Sequence, residues 1–416
     1  MAVTNTWNVV DWLTEEGLRL LTNKLAVAQF GNTAYNKEFT RDFAVGETVR
    51  VPRPFQPTIR NGLGYQPQAV QRIYTTVSVD QIFGIDLEWD DVQKALEVTR
   101  PDAQLRDQVL DPCMSYLAQE IDSRFTKYAY QNANNIVGVL GTDPTTTNIT
   151  MQARQRLIEL ACPPTQNKGF IIPPSVNTSL QPSIQSLFQP DDEVSRLFKE
   201  GSLGRLSGFK WYESMSLYTH TAGTWQGAVT VNTAPSNGDS VLVVNCTSGD
   251  TFYPGDKFGI ASVYATNPMT RRITTTATTK TFTVTGDAVI TATASTATIP
   301  ISPAIYGPGS PYQNVSALPA VSAGLTLFPG TSSPNGKQGK VGLAIHPDAF
   351  ALVGVKLETP KAVEMASQTR DPESGISVRF VKAWDPVQSK MIHRFDVLMG
   401  FGSLYSDNCA VAVLCG

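Results

Sequence analysis

The residues best equipped for chemistry are few and scattered. Histidine occurs three times, as His220, His346 and His393, and none stands in a HExxH setting that would mark a metal site. Each reads as a strand or cap histidine. The five cysteines, Cys113, Cys162, Cys246, Cys409 and Cys415, are odd in number and lack metal-ligand spacing, so buried free thiols are expected. The nearest approach to a phosphate loop is GTSSPNGKQ from Gly330. Five residues separate its two glycines instead of four, and Gln338 stands where a hydroxyl would hold magnesium. These patterns point to a chain that is not an enzyme and carries no cofactor and no metal.

A second set of residues offers charge recognition. Between Ala44 and Ser78 stand Arg50, Arg53, Arg60 and Arg72, with Glu47 as the single acid, a net charge of +3. Strand-like runs, ETVRVPRP and VQRIYTTVSVD, flank Pro54, Pro57, Gly62, Gly64 and Pro67. That is the pattern of a long hairpin arm with a proline-stiffened tip. Many such clusters are only solvated loops, yet an extended basic arm without its own core also suits an acidic partner surface.

Such an arm needs a body to hold it. In 102–133, Leu105, Val109, Cys113, Leu117, Ile121 and Phe125 recur at every fourth position, with Leu110, Met114 and Ala118 beside them, which predicts one long helix. At about 1.5 Å per residue it would run roughly 48 Å. Pro112 either kinks it or sits first in a second segment capped by Asp111. The element is either an ordinary core helix or a spine on which separate lobes hang. A second helix is expected over 7–30, with Val10, Leu13, Leu21, Leu25 and Ala28 near one face and Gly31 and Asn32 ending it. It could dock on its own chain or act as an arm on a neighbour.

Mixed helix and strand signals follow. MQARQRLIELA reads as a helix that Pro163 and Pro164 end, GFIIPP as a strand, and the stretch around Leu180 to Phe188 as helical. A further helix opens with Asp191 and Asp192, and GFKWYESMSLYTH alternates like a strand. From about Gly223 to Gly330 helical pattern vanishes and Thr, Val, Gly and Ser dominate. Phe252, Phe258, Ile260, Val263, Phe282, Val284, Val289 and Ile290 sit there in short runs between turns such as Asn237-Gly238-Asp239, which argues for an inserted β-barrel over a low-complexity stalk. From Val341 the mixed pattern resumes: VGLAI, a short helix after Pro347, a loop around Asp371 to Gly375, then GISVRFVKAWD, KMIHRFDVLMGF and NCAVAVLC as strands. One α+β domain interrupted by another is therefore expected.

A chain of 416 residues can bury sizeable cores in two or three domains. Its 33 basic and 36 acidic residues argue against gripping nucleic acid as its main work. No apolar run reaches about 18 residues, and Asp11, Glu15 and Glu16 stand where a leader needs basic then apolar residues, so a soluble cytoplasmic product without membrane contact is expected.

In combination these segments resemble a known family. The N-terminal arm, the basic hairpin leading into YTTVSVDQIFGIDLEWDDVQKALEV, the helix VLDPCMSYLAQEID, GFKWYESMSLYTHTAGT, the all-β block with YPGDKFGIASVYATNPMTRR, and the closing HRFDVLMGFGSLYSDNCAV are similar in order and phrase to major capsid proteins of tailed phages, specifically the P-twenty-two-like coat protein family. The resemblance implies an α+β Hong Kong 97-type capsid fold: an N-arm at 1–45, an E-loop at 46–78, a P-domain with the spine helix and the first part of the A-domain at 79–222, an inserted all-β domain at 223–330, and the rest of the A-domain with C-terminal P-domain strands at 331–416. It implies a structural coat protein that self-assembles through hexameric and pentameric capsomers into an icosahedral virion capsid, put together in the host cytoplasm. The implied partners are further copies of the chain, scaffolding and portal proteins, decoration proteins, and packaged double-stranded DNA held without sequence-specific binding. Arg50, Arg53, Arg60 and Arg72 would then lie at subunit interfaces. In the family's best-known member a charged insertion loop touches the neighbouring capsomer, whereas the turn TAPSNGDS here has only Asp239. The alternative from another class, a β-rich adhesin or carbohydrate-binding surface protein, rests on the Thr-rich block alone.

Overall fold

The computed structural model describes residues 9–34, 48–53, 56–57, 59–60, 62–65, 67–68, 73–90, 110–164, 167–187, 205–225, 227–274, 278–286, 288–328, 336–360, 363, 365–371, 374–385 and 390–416. Arg72, Leu105, Val109, the helix opening at Asp191 and most of the loop after Gly330 lie outside them. The chain divides into two compact units, one of Met1–Val51, Tyr74–Phe125 and Phe350–Ser403, the other of Pro52–Ile73, Thr126–Ala349 and Leu404–Gly416. Among the described residues no helix is long and apolar enough to cross a membrane.

The first unit is built on a six-stranded sheet. Its order is Thr48–Arg53, Ile73–Asp90, Lys390–Ser403, Ser377–Asp385 and Met365–Arg370, with Phe350–Gly354 also paired to Lys390–Ser403. Phe83 stands opposite Val397 and Ile85 opposite Phe395 in an antiparallel register. The spine helix, Asp111–Asn132, begins with Asp111 and Pro112 in its first turn, positions that suit an acid and a residue without an N–H donor. Leu117, Ile121 and Phe125 are buried. The Phe125 ring centroid lies 6.2 Å from that of Phe350 and 5.7 Å from that of Phe401, so the helix face is fixed by aromatic packing on strands from the far end of the sequence. Arg124 adds a polar clamp, its guanidinium 4.5 Å above the Phe83 ring and its Nη1 donating to Gln81 Oε1 at 3.1 Å.

The N-terminal helix, Val9–Lys24, packs against Met365–Arg370 and Ser377–Asp385 of its own chain. It stops earlier than its apolar pattern suggests. Leu25 and Val27 are buried, but the backbone there leaves the helix because the Asp122 carboxylate takes the N–H groups of Ala26, Val27 and Ala28 at 2.9, 3.2 and 2.9 Å. Those donors would otherwise have extended the helical ladder. Burial pushes the Asp122 carboxyl above its ordinary range, and the three N–H bonds pull it part of the way back.

The second unit carries a seven-stranded mixed sheet in the order Asn135–Gly138, Ala410–Leu414, Gln338–Ile345, Lys168–Ile172, Phe209–Glu213 and Arg205–Leu206, with Thr219–Thr221 paired to Gln338–Ile345. Lys168–Ile172 and Ala410–Leu414 are buried along their whole length, which is why Ala410–Leu414 and the part of the other strand after Lys168 read as apolar runs and not as alternating ones. Helix Asn148–Glu159 packs on Asn135–Gly138 and Ala410–Leu414, and helix Pro174–Leu187 follows. Asn408 and Cys409, which pattern assigns to the closing strand, belong instead to the short helix Ser406–Cys409.

The same unit holds a second six-stranded sheet, in the order Leu325–Leu327, Lys257–Tyr264, Thr279–Val284, Thr296–Ile305, Asp239–Asn245 and Thr230–Val231. Its two edges meet. Thr230 bridges Gly324, Val231 N donates to Ala323 O at 2.9 Å and Leu325 N to Val229 O at 2.8 Å, so the sheet closes on itself and hides both edges. Trp225, Phe252, Phe258, Phe282, Ile299 and Ile305 fill the interior. Of the apolar residues that argued for a barrel, Ile290 is only partly buried and Val289 is 42% exposed, because the strand there is the two-residue Ile290–Thr291.

Candidate subunit-contact site

The arm carries the most exposed large apolar side chains among the described residues. Thr48–Arg53 and Ile73–Asp90 are adjacent strands of one sheet, and the described residues between them include Ile59, Leu63 and Tyr65, which are 92%, 97% and 88% exposed. Three large apolar side chains so close together and so nearly bare lose free energy in water that a covering surface would recover, about 1.5–3 kcal/mol for each one buried. Gly62 takes a φ of 89°, a turn geometry that favours glycine, and Arg60 Nη1 donates to Gly64 O at 3.0 Å across the same turn. The tip is thus locally shaped. Arg271 Nη2, from the closed sheet's long loop, donates to Pro57 O at 3.1 Å and to Pro311 O at 3.2 Å.

The arginines expected to act at this site take different positions. Arg50 is exposed on its strand. Arg60 is exposed and stitches the tip loop. Arg53 is partly buried and donates to Leu404 O of its own chain at 2.7 Å, a contact that serves the subunit itself. The three apolar tip residues were not singled out by pattern, because nothing in IRNGLGY separates a bare tip from a covered one.

A buried anchor at the end of the spine helix also escaped the sequence. Lys257 opens the strand after the turn Tyr253-Pro254-Gly255-Asp256 and is 1% exposed. Its Nζ donates to Tyr130 O at 2.8 Å, to Ala133 O and to Thr283 Oγ1 at 3.0 Å, and stands 4.5 Å above the Tyr130 ring. The cation therefore meets the backbone carbonyls at the C-terminus of the spine helix, where the helix dipole favours positive charge. Burial pulls its pKa down to about 7, and the neighbouring Asp256 opposes that shift. Asp256 is itself fully buried. It accepts His220 Nε2 at 2.9 Å and the backbone N–H groups of Gly223 and Tyr253. Gly255, at a φ of 96°, lets the turn approach the Tyr130 ring, since a Cβ there would lie 3.1 Å from Tyr130 Cε1.

The histidines and cysteines also depart from the scattered picture. All five cysteines are free thiols, with Cys246 only half-buried. Cys162, His346 and Cys409, which have no metal-ligand spacing in sequence, bring their ligand atoms within 4.8 Å of one another. His393 lies in the strand Lys390–Ser403, 5.9 Å from the Phe380 ring between centroids.

A family model described as P22 coat protein, gene protein 5, matches residues 86–409, more than three quarters of the chain. The chain belongs to the P22 coat protein family. This coat protein is accordingly a major capsid protein of a tailed phage, a structural component of the virion, with a mixed α+β fold. The arm lies ahead of the matched residues; Lys257, Asp256 and the Cys162, His346 and Cys409 cluster lie within them. Solved structures similar to the coat protein include Mycobacterium phage Che8, at 12% identity and a TM-score of 0.46 over 94% of this chain and 90% of that one. The capsid of Ralstonia phage GP4 gives 8% and 0.46 over 94% and 92%, and the capsid of cyanophage P-SCSP1u gives 10% and 0.43 over 93% and 86%. At such TM-scores these likenesses add no weight to the family match. A comparison with curated protein sequences gives no match.

Proposed function

We propose that this coat protein builds an icosahedral shell by laying the arm at 46–78 across neighbouring copies, and that it catalyses nothing. The observation that carries the reading is the tip: Ile59, Leu63 and Tyr65 stand almost fully exposed on an arm whose bases Arg50 and Arg60 face solvent. An extended arm gives a large contact area without a large single core, which suits a subunit that must tile a curved surface through repeated contacts. In this reading the copies form hexameric and pentameric capsomers with scaffolding and portal proteins as partners in the host cytoplasm, and the shell encloses double-stranded DNA. A near-neutral chain holds that DNA without sequence-specific contacts, because tight binding needs many phosphate-neutralising bases. The segments follow as N-arm 1–45, E-loop 46–78, P-domain with the first part of the A-domain 79–222, insertion 223–330, and the remainder of both domains 331–416.

The test replaces Ile59, Leu63 and Tyr65 together by serine in the full chain. Exposed side chains contribute within about 0.5 kcal/mol to subunit stability, so the melting temperature stays within a few degrees of the parent. Shell formation, followed by light scattering, shifts to markedly higher protein concentration. Unchanged assembly, or an equal loss of folding, would assign the tip to the subunit's own structure.

A further inference from the structure

Cys162, His346 and Cys409 arrive from three separate segments. Cys162 follows the turn that closes helix Asn148–Glu159, where its N–H donates to Leu157 O at 2.9 Å and Ala161 before it takes a φ of 59°. His346 directly follows the strand Gln338–Ile345, and its N–H donates to Cys409 O at 3.0 Å. Cys409 ends the short helix Ser406–Cys409, with its N–H on Tyr405 O at 2.9 Å. All three are buried, and all three belong to the same compact unit. Backbone hydrogen bonds thus fix each segment independently of anything the side chains hold.

The side chains have the chemistry of a ligand set. The Cys409 thiol hydrogen-bonds to Cys162, so the two sulfur atoms face one another. His346 brings an imidazole nitrogen to the same cluster. Its Nδ1 accepts the Asp348 N–H at 3.2 Å and lies 3.6 Å from Asp348 Oδ2.

We propose that Cys162, His346 and Cys409 bind a thiophilic divalent cation, zinc, with water at the fourth position. Two thiolates and an imidazole select zinc over magnesium or calcium, which prefer oxygen ligands, and ligand atoms within 4.8 Å of one another need only small side-chain rotations to close to the roughly 3.3–3.8 Å edges of a tetrahedral site with bonds of about 2.0–2.3 Å. Binding breaks both S–H bonds, forms two S–Zn bonds and releases two protons to solvent, with no electron transferred. The ion would tie together the turn after Asn148–Glu159, the end of Gln338–Ile345 and the helix Ser406–Cys409. A disulfide between Cys162 and Cys409 would need an oxidant and would leave His346 without a part in the site.

The experiment uses the full-length chain, purified reduced, incubated with Zn2+ and freed of unbound metal by gel filtration. Elemental analysis is expected to give about one zinc per chain. Co2+ in its place should give the thiolate charge-transfer and visible bands of a tetrahedral cobalt site. Cys162→Ser, Cys409→Ser and His346→Gln should each lower the retained metal at least tenfold, while Cys415→Ser, buried elsewhere, leaves it unchanged. Because the buried variants can misfold, Zn2+ should also slow alkylation of Cys162 and Cys409, but not Cys113 or Cys246, in the unaltered chain, mapped by mass spectrometry. A folded unaltered chain that retains no more zinc than Cys162→Ser overturns the proposal. So does a Cys162–Cys409 disulfide whose reduction brings no affinity for zinc.

Discussion

The Lys257 ammonium lies 4.5 Å above the ring of Tyr130 and 2.8 Å from that residue's own carbonyl oxygen, so one cation from the closed sheet serves both the aromatic face and the backbone at the end of the spine helix. Lys257→Met keeps most of the side-chain volume and removes the donor. The Ala133 carbonyl and Thr283 hydroxyl lose a partner with it, and leaving such buried acceptors unserved costs about 1–3 kcal/mol. Chemical denaturation should show that loss. A variant as stable as the parent would mean that the anchor contributes nothing.

The same residue sets a pH dependence. Its folded-state pKa is about 7 against an ordinary value of 10.5, so between these two pH values the unfolded chain keeps a proton that the folded chain has released. Stability then rises with pH across that window and is flat on either side of it, as far as Lys257 is concerned. Denaturation midpoints for the parent and for Lys257→Met, compared from pH 7 to 10, should diverge: the parent gains on the variant as pH rises. Parallel curves would remove Lys257 as the cause.

Asp122 holds the turn after the N-terminal helix by three backbone N–H bonds, and no other described carboxylate meets those donors. Asp122→Ala leaves all three short of an acceptor, and at about 1–3 kcal/mol each the loss should be roughly 3 kcal/mol or more. Asp122→Asn keeps part of the acceptor set and should fall between. Limited proteolysis reads this directly: the alanine variant is cut near residues 25–30 at protease levels that leave the parent whole. Equal resistance would show that the helix docks without the carboxylate.

The closed sheet should fold when residues 223–330 are expressed alone, because its edges pair with each other and its interior is filled from within the stretch. The fragment loses the Tyr130 and Ala133 carbonyls that hold Lys257, so it should be less stable than the same sheet in the full chain. Dispersed amide NMR signals are expected; collapsed random-coil shifts would show that the sheet depends on its surroundings.

Legibility followed the range of the interaction. Leu117, Ile121 and Phe125 were readable because a helix writes its buried face at a local spacing, and the closed sheet was readable from short apolar runs between turns such as Asn237-Gly238-Asp239. The end of the N-terminal helix was not, because the group that stops it, Asp122, is 94 residues beyond Ala28. Lys257 looked like an ordinary polar residue after a turn, since the carbonyls it serves lie 124 and 127 residues away. Cys162, His346 and Cys409 converge only through the order of the seven-stranded sheet and the helices attached to it, which no local window carries.

Electron microscopy of the expressed chain, taken across a concentration series, tests the assembly reading most directly. Many weak repeated contacts must form together, so closed shells, or aberrant shells and capsomers, should appear above a threshold concentration and vanish below it. A chain that stays monomeric at every concentration and salt level would contradict the account.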